Sequence, residues 1–182
     1  MRRVPIALAC AVLTCAGAAK AATPPPIEAY GATEAISGLS LSPSGKRAAF
    51  MIANSKGRLI AVQDVGGKVI ATVTPGDVKL RGLRWAGDDY LEITTSVTLN
   101  ISMDWGSKDE LSRVDVLNLH TLKVSTVFSG QKTVAVPVIA NFGSAQVGGR
   151  WYGYFAGFPQ NSEAAGFDTS ITGDVQLYKV DL

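Results

Sequence analysis

Apolar positions recur along most of the chain in short alternating runs separated by turn residues. Ile36, Leu39 and Leu41 lead into Ser42-Pro43-Ser44-Gly45, and Ala48 to Ile52 leads away from it. Proline presets φ within a turn and glycine permits φ > 0 at its end, so 36–50 reads as a β-hairpin with Lys46 and Arg47 at its mouth. The plan returns twice. Leu83-Arg84-Trp85-Ala86-Gly87-Asp88-Asp89-Tyr90-Leu91-Glu92-Ile93 is one copy, and Ala145 to Phe155, turning at Gly148-Gly149, is another. A second pattern is interleaved with the first: an apolar strand, an aspartate near its end, a tight turn, and a strand that opens Lys-Val. It is seen around Asp64 with Lys68-Val69, and around Asp115 with Lys123-Val124. Its first half returns at Gln176-Leu177-Tyr178-Lys179-Val180-Asp181.

These patterns predict strands near 37–41, 47–53, 58–64 and 68–74, then 79–85, 89–100, 110–117 and 122–128, then 134–140, 150–157 and 175–180. Gly57 and Gly66-Gly67 punctuate the first set. Glu28 to Ile36 is the only later helical candidate, and Gly31 argues against it. Four strands every 45 residues or so is the spacing of propeller blades. The expected fold is all-β: a partial β-propeller of four-stranded antiparallel blades, two complete and one incomplete. Its units run roughly 36–77, 78–130 and 131–182. Propellers as a rule close with four to eight blades, so two readings stay open. Either the chain is a piece of something longer, or its β units pack in another way, such as a sandwich or a self-associated ring.

The first 21 residues read differently. Arg2 and Arg3 precede an almost wholly apolar run from Val4 to Ala19, and Ala19-Lys20-Ala21 fits the small-x-small rule for cleavage. Residues 1–21 are therefore expected to be a secretory signal peptide, and the location periplasmic or secreted. A membrane anchor is the rival reading, but the run is short for a span. A lipoprotein cysteine at Cys15 is weaker still, because Thr14 is a poor match before it. Residues 22–35 form a Pro-rich leader through Pro24-Pro25-Pro26. Cys10 and Cys15 both lie within the signal segment, so disulfides would not support the mature fold.

Composition narrows the function classes. With 47% apolar and 18% charged residues over 182 positions, a packed core is expected. A net charge of +2 with no cluster of basic residues removes the electrostatic basis for a nucleic-acid partner.

The turn Leu41-Ser42-Pro43-Ser44-Gly45-Lys46-Arg47-Ala48-Ala49-Phe50 is similar to the S-P-D-G-K-x-[hydrophobic]-A-[FY] signature of TolB-like propeller blades, with Ser44 in place of the usual aspartate. The signal segment, the stretch Pro24 to Gly31 and a first blade opening at Ile36 resemble the start of exported prolyl oligopeptidase-family serine peptidases. The resemblance includes the dipeptidyl-peptidase and acylaminoacyl-peptidase branches. It covers about residues 24–182, with its specific part in the first blade. It implies a propeller that gates peptide access to a C-terminal α/β-hydrolase domain, here absent from the chain. The alternative is a stand-alone periplasmic binding or scaffolding module.

No catalytic residue is carried over. The nucleophile elbow G-x-S-x-G does not occur; Ser44 and Ser129 precede glycines but lack the rest of the motif. A triad needs a histidine held by a carboxylate, and the single histidine, His120, falls in an expected tight turn. With no second histidine and no mature cysteine, His120 also lacks partners for a soft metal site. Asp104 to Glu110 gathers three carboxylates, but the spacing differs from a calcium loop and Lys108 sits among them. No catalytic, cofactor or metal site is therefore assigned, and the chain alone is expected to be hydrolytically inactive. Trp105 is a candidate gate or domain contact. Trp85 and Trp151 read as packing between blades. Phe142, Tyr152, Tyr154, Phe155 and Phe158 are expected to leave apolar surface and a free edge at 175–180. Asn161 to Thr172 reads as a long loop.

Overall fold

A computed structural model describes residues 24–31, 34–54, 57–101, 107–160 and 174–182. Residues 1–21, expected to be a signal peptide, with their two cysteines, the candidate contact residues Asp104 and Trp105, and the stretch Asn161 to Thr172 lie outside the described residues. The chain divides into two compact units, Met1–Ala32 and Thr33–Leu182. In the first, the prolines lead into a single helical turn, α1 (Ile27–Tyr30), which ends at Gly31. The Ala29 amide donates to the Pro26 carbonyl at 2.9 Å.

The second unit is all-β. Its strands are β1 (Ile36–Leu41), β2 (Arg47–Asn54), β3 (Gly57–Asp64) and β4 (Val69–Val73), then β5 (Lys79–Ala86), β6 (Tyr90–Ile101), β7 (Ser107–Asn118) and β8 (Lys123–Thr126). Three more follow: β9 (Val134–Val147), β10 (Arg150–Pro159) and β11 (Gln176–Asp181). They form three antiparallel sheets in chain order, β1-β2-β3-β4, β5-β6-β7-β8 and β9-β10-β11. Short turns favour the pairing of consecutive strands in most of these hairpins, and β11 pairs with β10 across the longer connection 160–175. All three repeated hairpins join the first and second strands of a sheet.

The sheets stack through two apolar layers. Ala49, Ile60 and Val62 of the first sheet meet Trp85, Leu91, Ile93 and Leu117 of the second. On the opposite face of the second sheet, Val114, Val116, Val127 and Phe128 meet Val134, Val138 and Phe155 of the third. The middle sheet is thus buried on both faces, and β7 carries apolar residues toward each. Phe155 is fully buried, with Phe128 edge-on at 6.3 Å between ring centroids. Burial of such a side chain contributes about 1.5–3 kcal/mol. β1 lies against β5, and β5 against β9, so the first strands of the sheets are neighbours.

Several details differ from the linear reading. In β1, Gly38 takes φ +64° and the register shifts between Ser37 and Ser40, so Ile36, Leu39 and Leu41 end up exposed. β8 stops at Thr126 rather than 128. Phe128 leaves the strand at φ +66°, a conformation costly for a large residue, and its ring enters the layer against Phe155 and Tyr178. β9 runs on to Val147, well past 140, through a bulge at Phe142 between the pairs Tyr154↔Gly143 and Phe155↔Asn141. Phe142 and Leu177 are exposed while Phe155 is buried, so the third unit's aromatics are divided between core and surface. Among the described residues no helix is long and apolar enough to cross a membrane.

Candidate functional site at the turn rim

An up-and-down meander places alternate turns at the same end of a sheet. The turns 43–46, 65–67, 87–89, 119–122 and 148–149 therefore share one rim with the end of β11. Rigid strands hold these turns, the arrangement in which loops most often carry function.

The rim has a continuous polar network. Ser42 is buried, and its hydroxyl accepts from the Arg47 amide at 3.2 Å. The Ser44 amide donates to Asp88 Oδ1 across the first and second sheets at 3.1 Å. Hydrogen bonds from Ser44 hold the Asp88 carboxyl below its ordinary range, with the Arg47 charge a smaller influence in the same direction. The Arg47 guanidinium donates to the Asp88 carbonyl and, at 3.1 Å, to Asp89 Oδ1. The second Asp89 oxygen faces His120 Nε2 at 3.2 Å. His120 is a turn residue, as its sequence context suggests, but it also closes an Arg47–Asp89–His120 chain.

Beside this chain, Trp151, the second residue of β10, packs over Gly87. A Cβ on Gly87 would lie 2.7 Å from the ring, and the glycine has φ +59°. Trp85 instead lies one residue before the end of β5; it is buried between the first two sheets and donates from Nε1 to the Ser40 carbonyl at 3.2 Å. Arg150 pairs with Asp181 within the third sheet. Asp89, His120, Gln146, Arg150, Trp151 and Asp181 line a cavity of about 380 Å³.

Two further polar clusters lie away from that cavity. Glu92 is fully buried between the second and third sheets; its Oε2 accepts from Asn141 Nδ2 at 2.7 Å, while Oε1 has no partner among the described residues. Burial pushes its carboxyl above the ordinary value, against the opposing hydrogen bond from Asn141 and the charge of Arg84. At the other end of the second sheet, Glu110 accepts from Ser96 Oγ at 2.6 Å, pairs with Arg81 and lies 3.7 Å from Lys79 Nζ. These contacts, led by the Ser96 hydrogen bond, lower its carboxyl to about 2.

Among the described residues no group of three or more histidine, cysteine, aspartate or glutamate side chains is placed to hold a metal ion. Linear reasoning missed Asp89, Gln146, Arg150 and Asp181 as a group. One signal was available: Arg47, two residues after Gly45, and Arg150, directly after Gly149, each open the second strand of their sheet. No protein-family model, curated protein or solved structure matches the chain.

Proposed function

We propose that this chain is the non-catalytic β-propeller portion of an exported serine peptidase resembling the prolyl oligopeptidase family. In this reading it gates peptide access to an α/β-hydrolase domain that lies outside the chain. The observation that supports it best is the stacking of antiparallel meander sheets through two apolar layers, with the first strands β1, β5 and β9 adjacent. Repeated sheets that bury their faces only against neighbours are the building plan of a propeller, and first strands that gather together line its axis. The blade-like turn at Ser42 to Gly45 supports the propeller reading, and the expected secretory leader supports export of such a propeller.

A second reading is a stand-alone periplasmic binding or scaffolding module. It is favoured by the rim cavity, which polar side chains from turns of the second and third sheets line. The test is an assay of the complete natural gene product, with and without residues 36–182, on a short chromogenic peptide and on a folded protein substrate. Gating predicts that deletion relaxes discrimination against the large substrate while cleavage of the short one survives. A gene product with no hydrolytic activity on either substrate supports the binding module instead.

A further inference from the structure

We infer that the groove along the open edge of β4 is a docking site for an extended peptide segment of another protein, with aliphatic residues at alternate positions and an acidic C-terminal end. The inference is independent of the peptidase reading, because the groove lies on the last strands of the first two sheets, away from β1, β5 and β9.

The groove has a volume of about 340 Å³ and two unlike walls. All five residues of β4, Val69–Val73, line one of them. Side chains alternate between the faces of a strand, so a cavity on one face would meet only every second residue. Lining by the whole strand means that the groove follows its edge. Among the described strands β4 pairs with β3 alone, so its outer main-chain groups are open to a partner. Apart from the Thr72 hydroxyl, no lining side chain carries a polar atom. Polar recognition here falls to the main chain, which is how an added strand binds a sheet.

The second sheet supplies the opposite wall through Leu117, Leu122 and Val124. Leu117 and Val124 are directly paired and so share a face. Leu117 belongs to the apolar layer between the first two sheets, and Ile70, Ala71 and Val73 pack against that layer from β4. A fifth strand on β4 would extend the layer outward, laying alternate aliphatic side chains on the second sheet. Leu122 marks its uncovered end. Its φ is +57°, a region that suits glycine and is unfavourable for leucine, and the residue is 56% exposed. Filling the groove would bury it. Natural sheets protect their edges with charges or prolines; the sequence of β4 has neither, whereas β8 opens on Lys123 and β11 carries Lys179 and Asp181.

Charge sets the direction of the segment. Lys68 immediately precedes β4 and Lys123 opens β8, so both stand at the rim end of their strands, and both are exposed. Neither forms an ion pair among the described residues. Asp64, in the turn before β4, accepts from the Lys68 amide at 2.9 Å. A strand antiparallel to β4, the more stable pairing, runs toward this end and delivers its C-terminal residues to the lysines.

The test is NMR titration of the isotopically labelled full chain with an N-acetylated peptide of about eight residues, a typical strand length, that alternates threonine with valine and ends in glutamates. Saturable shifts should centre on the amides of Val69–Val73, Leu117 and Val124, with Kd from about 0.05 to 2 mM for so short a segment, which must be ordered on binding. Prolines in place of the central threonines remove main-chain donors and should weaken binding about tenfold. Lysines in place of the glutamates should weaken it about threefold. Leu122→Gly removes the aliphatic contact and relieves the backbone, so binding should weaken about threefold while the thermal midpoint holds or rises. The inference is overturned if no shifts appear up to about 10 mM, if they centre elsewhere on the protein, or if the proline peptide binds as the parent peptide does. It is also overturned if Leu122→Gly binds unchanged, or if sedimentation shows the chain alone dimerising with its β4 amides protected, which would make a second copy the occupant. Hydrolase activity of the gene product bears on none of these outcomes.

Discussion

Trp151 sits over Gly87, so close that a single methyl group on the glycine would lie 2.7 Å from the indole. The contact joins the first turn of the second sheet to the first hairpin of the third. Glycine is required there twice over, for space and for φ +59°. Gly87→Ala should destabilise the fold by about 1–3 kcal/mol through overpacking and backbone strain. The denaturant midpoint followed by tryptophan fluorescence measures this; an unchanged midpoint would show that the two sheets do not approach here.

Glu92 gives the stability of the second unit a pH dependence of defined sign. Its folded carboxyl is raised above 4.5 because the sheets around it exclude water. The neutral acid is compatible with the native state, so this residue's contribution is intact below the unfolded value. It is lost as pH rises through the folded value and an ionised carboxylate must be accommodated. Glu92→Gln should therefore stabilise the protein at neutral pH by about 1–3 kcal/mol. The advantage should vanish toward about pH 4. Urea melts of both proteins across that range test the sign, and an advantage that grows on acidification would reverse it.

Glu110 behaves in the opposite way. Its carboxyl, held at about 2 by Ser96 and Arg81, should stay ionised through the range in which ordinary glutamates protonate. Ser96→Ala removes the leading influence and should move the titration upward toward 4.5. Side-chain carboxyl chemical shifts followed against pH report both proteins directly; equal midpoints would remove Ser96 from the account.

The Arg47–Asp89 contact ties the first hairpin to the second sheet, and the same guanidinium satisfies the Asp88 carbonyl. Arg47→Met keeps the aliphatic stem but leaves that carbonyl without its side-chain donor. A loss of about 1 kcal/mol is expected, above the small value typical of an exposed ion pair alone. Asp89→Asn should cost less, because the carbonyl contact survives. Thermal melts in low and high salt separate the two contributions: the Asp89 effect should shrink with salt and the Arg47 effect should largely persist.

Local chemistry in the sequence is enough to locate the hairpins. Pro43 with Gly45, the Gly87 turn and Gly148-Gly149 each force a reversal, and alternation on either side marks the strands. Contacts between sheets are another matter. Glu92 with Asn141, Arg47 with Asp89 and Trp151 with Gly87 are remote in sequence and meet only after stacking, which no local period encodes. Glu92 looks like an ordinary solvent-facing position between Leu91 and Ile93, yet both faces of its sheet are covered. The extension of β9 was hidden for a different reason. Asn141-Phe142-Gly143 has the composition of a turn, but the Gly143 amide donates to Asn141 Oδ1 at 2.8 Å and the strand passes through a bulge. The rim cavity follows from the same stacking, so its residues were visible singly and not as a group.

The most direct test of the central proposal is the intact mass and peptide map of the natural gene product, captured from the periplasmic fraction with an antibody against residues 107–160. The account predicts a secreted product that begins near Ala22 and continues into further four-stranded units and a G-x-S-x-G hydrolase segment. A secreted product confined to the β units described here, with no hydrolase sequence, would contradict the peptidase reading and leave the binding module.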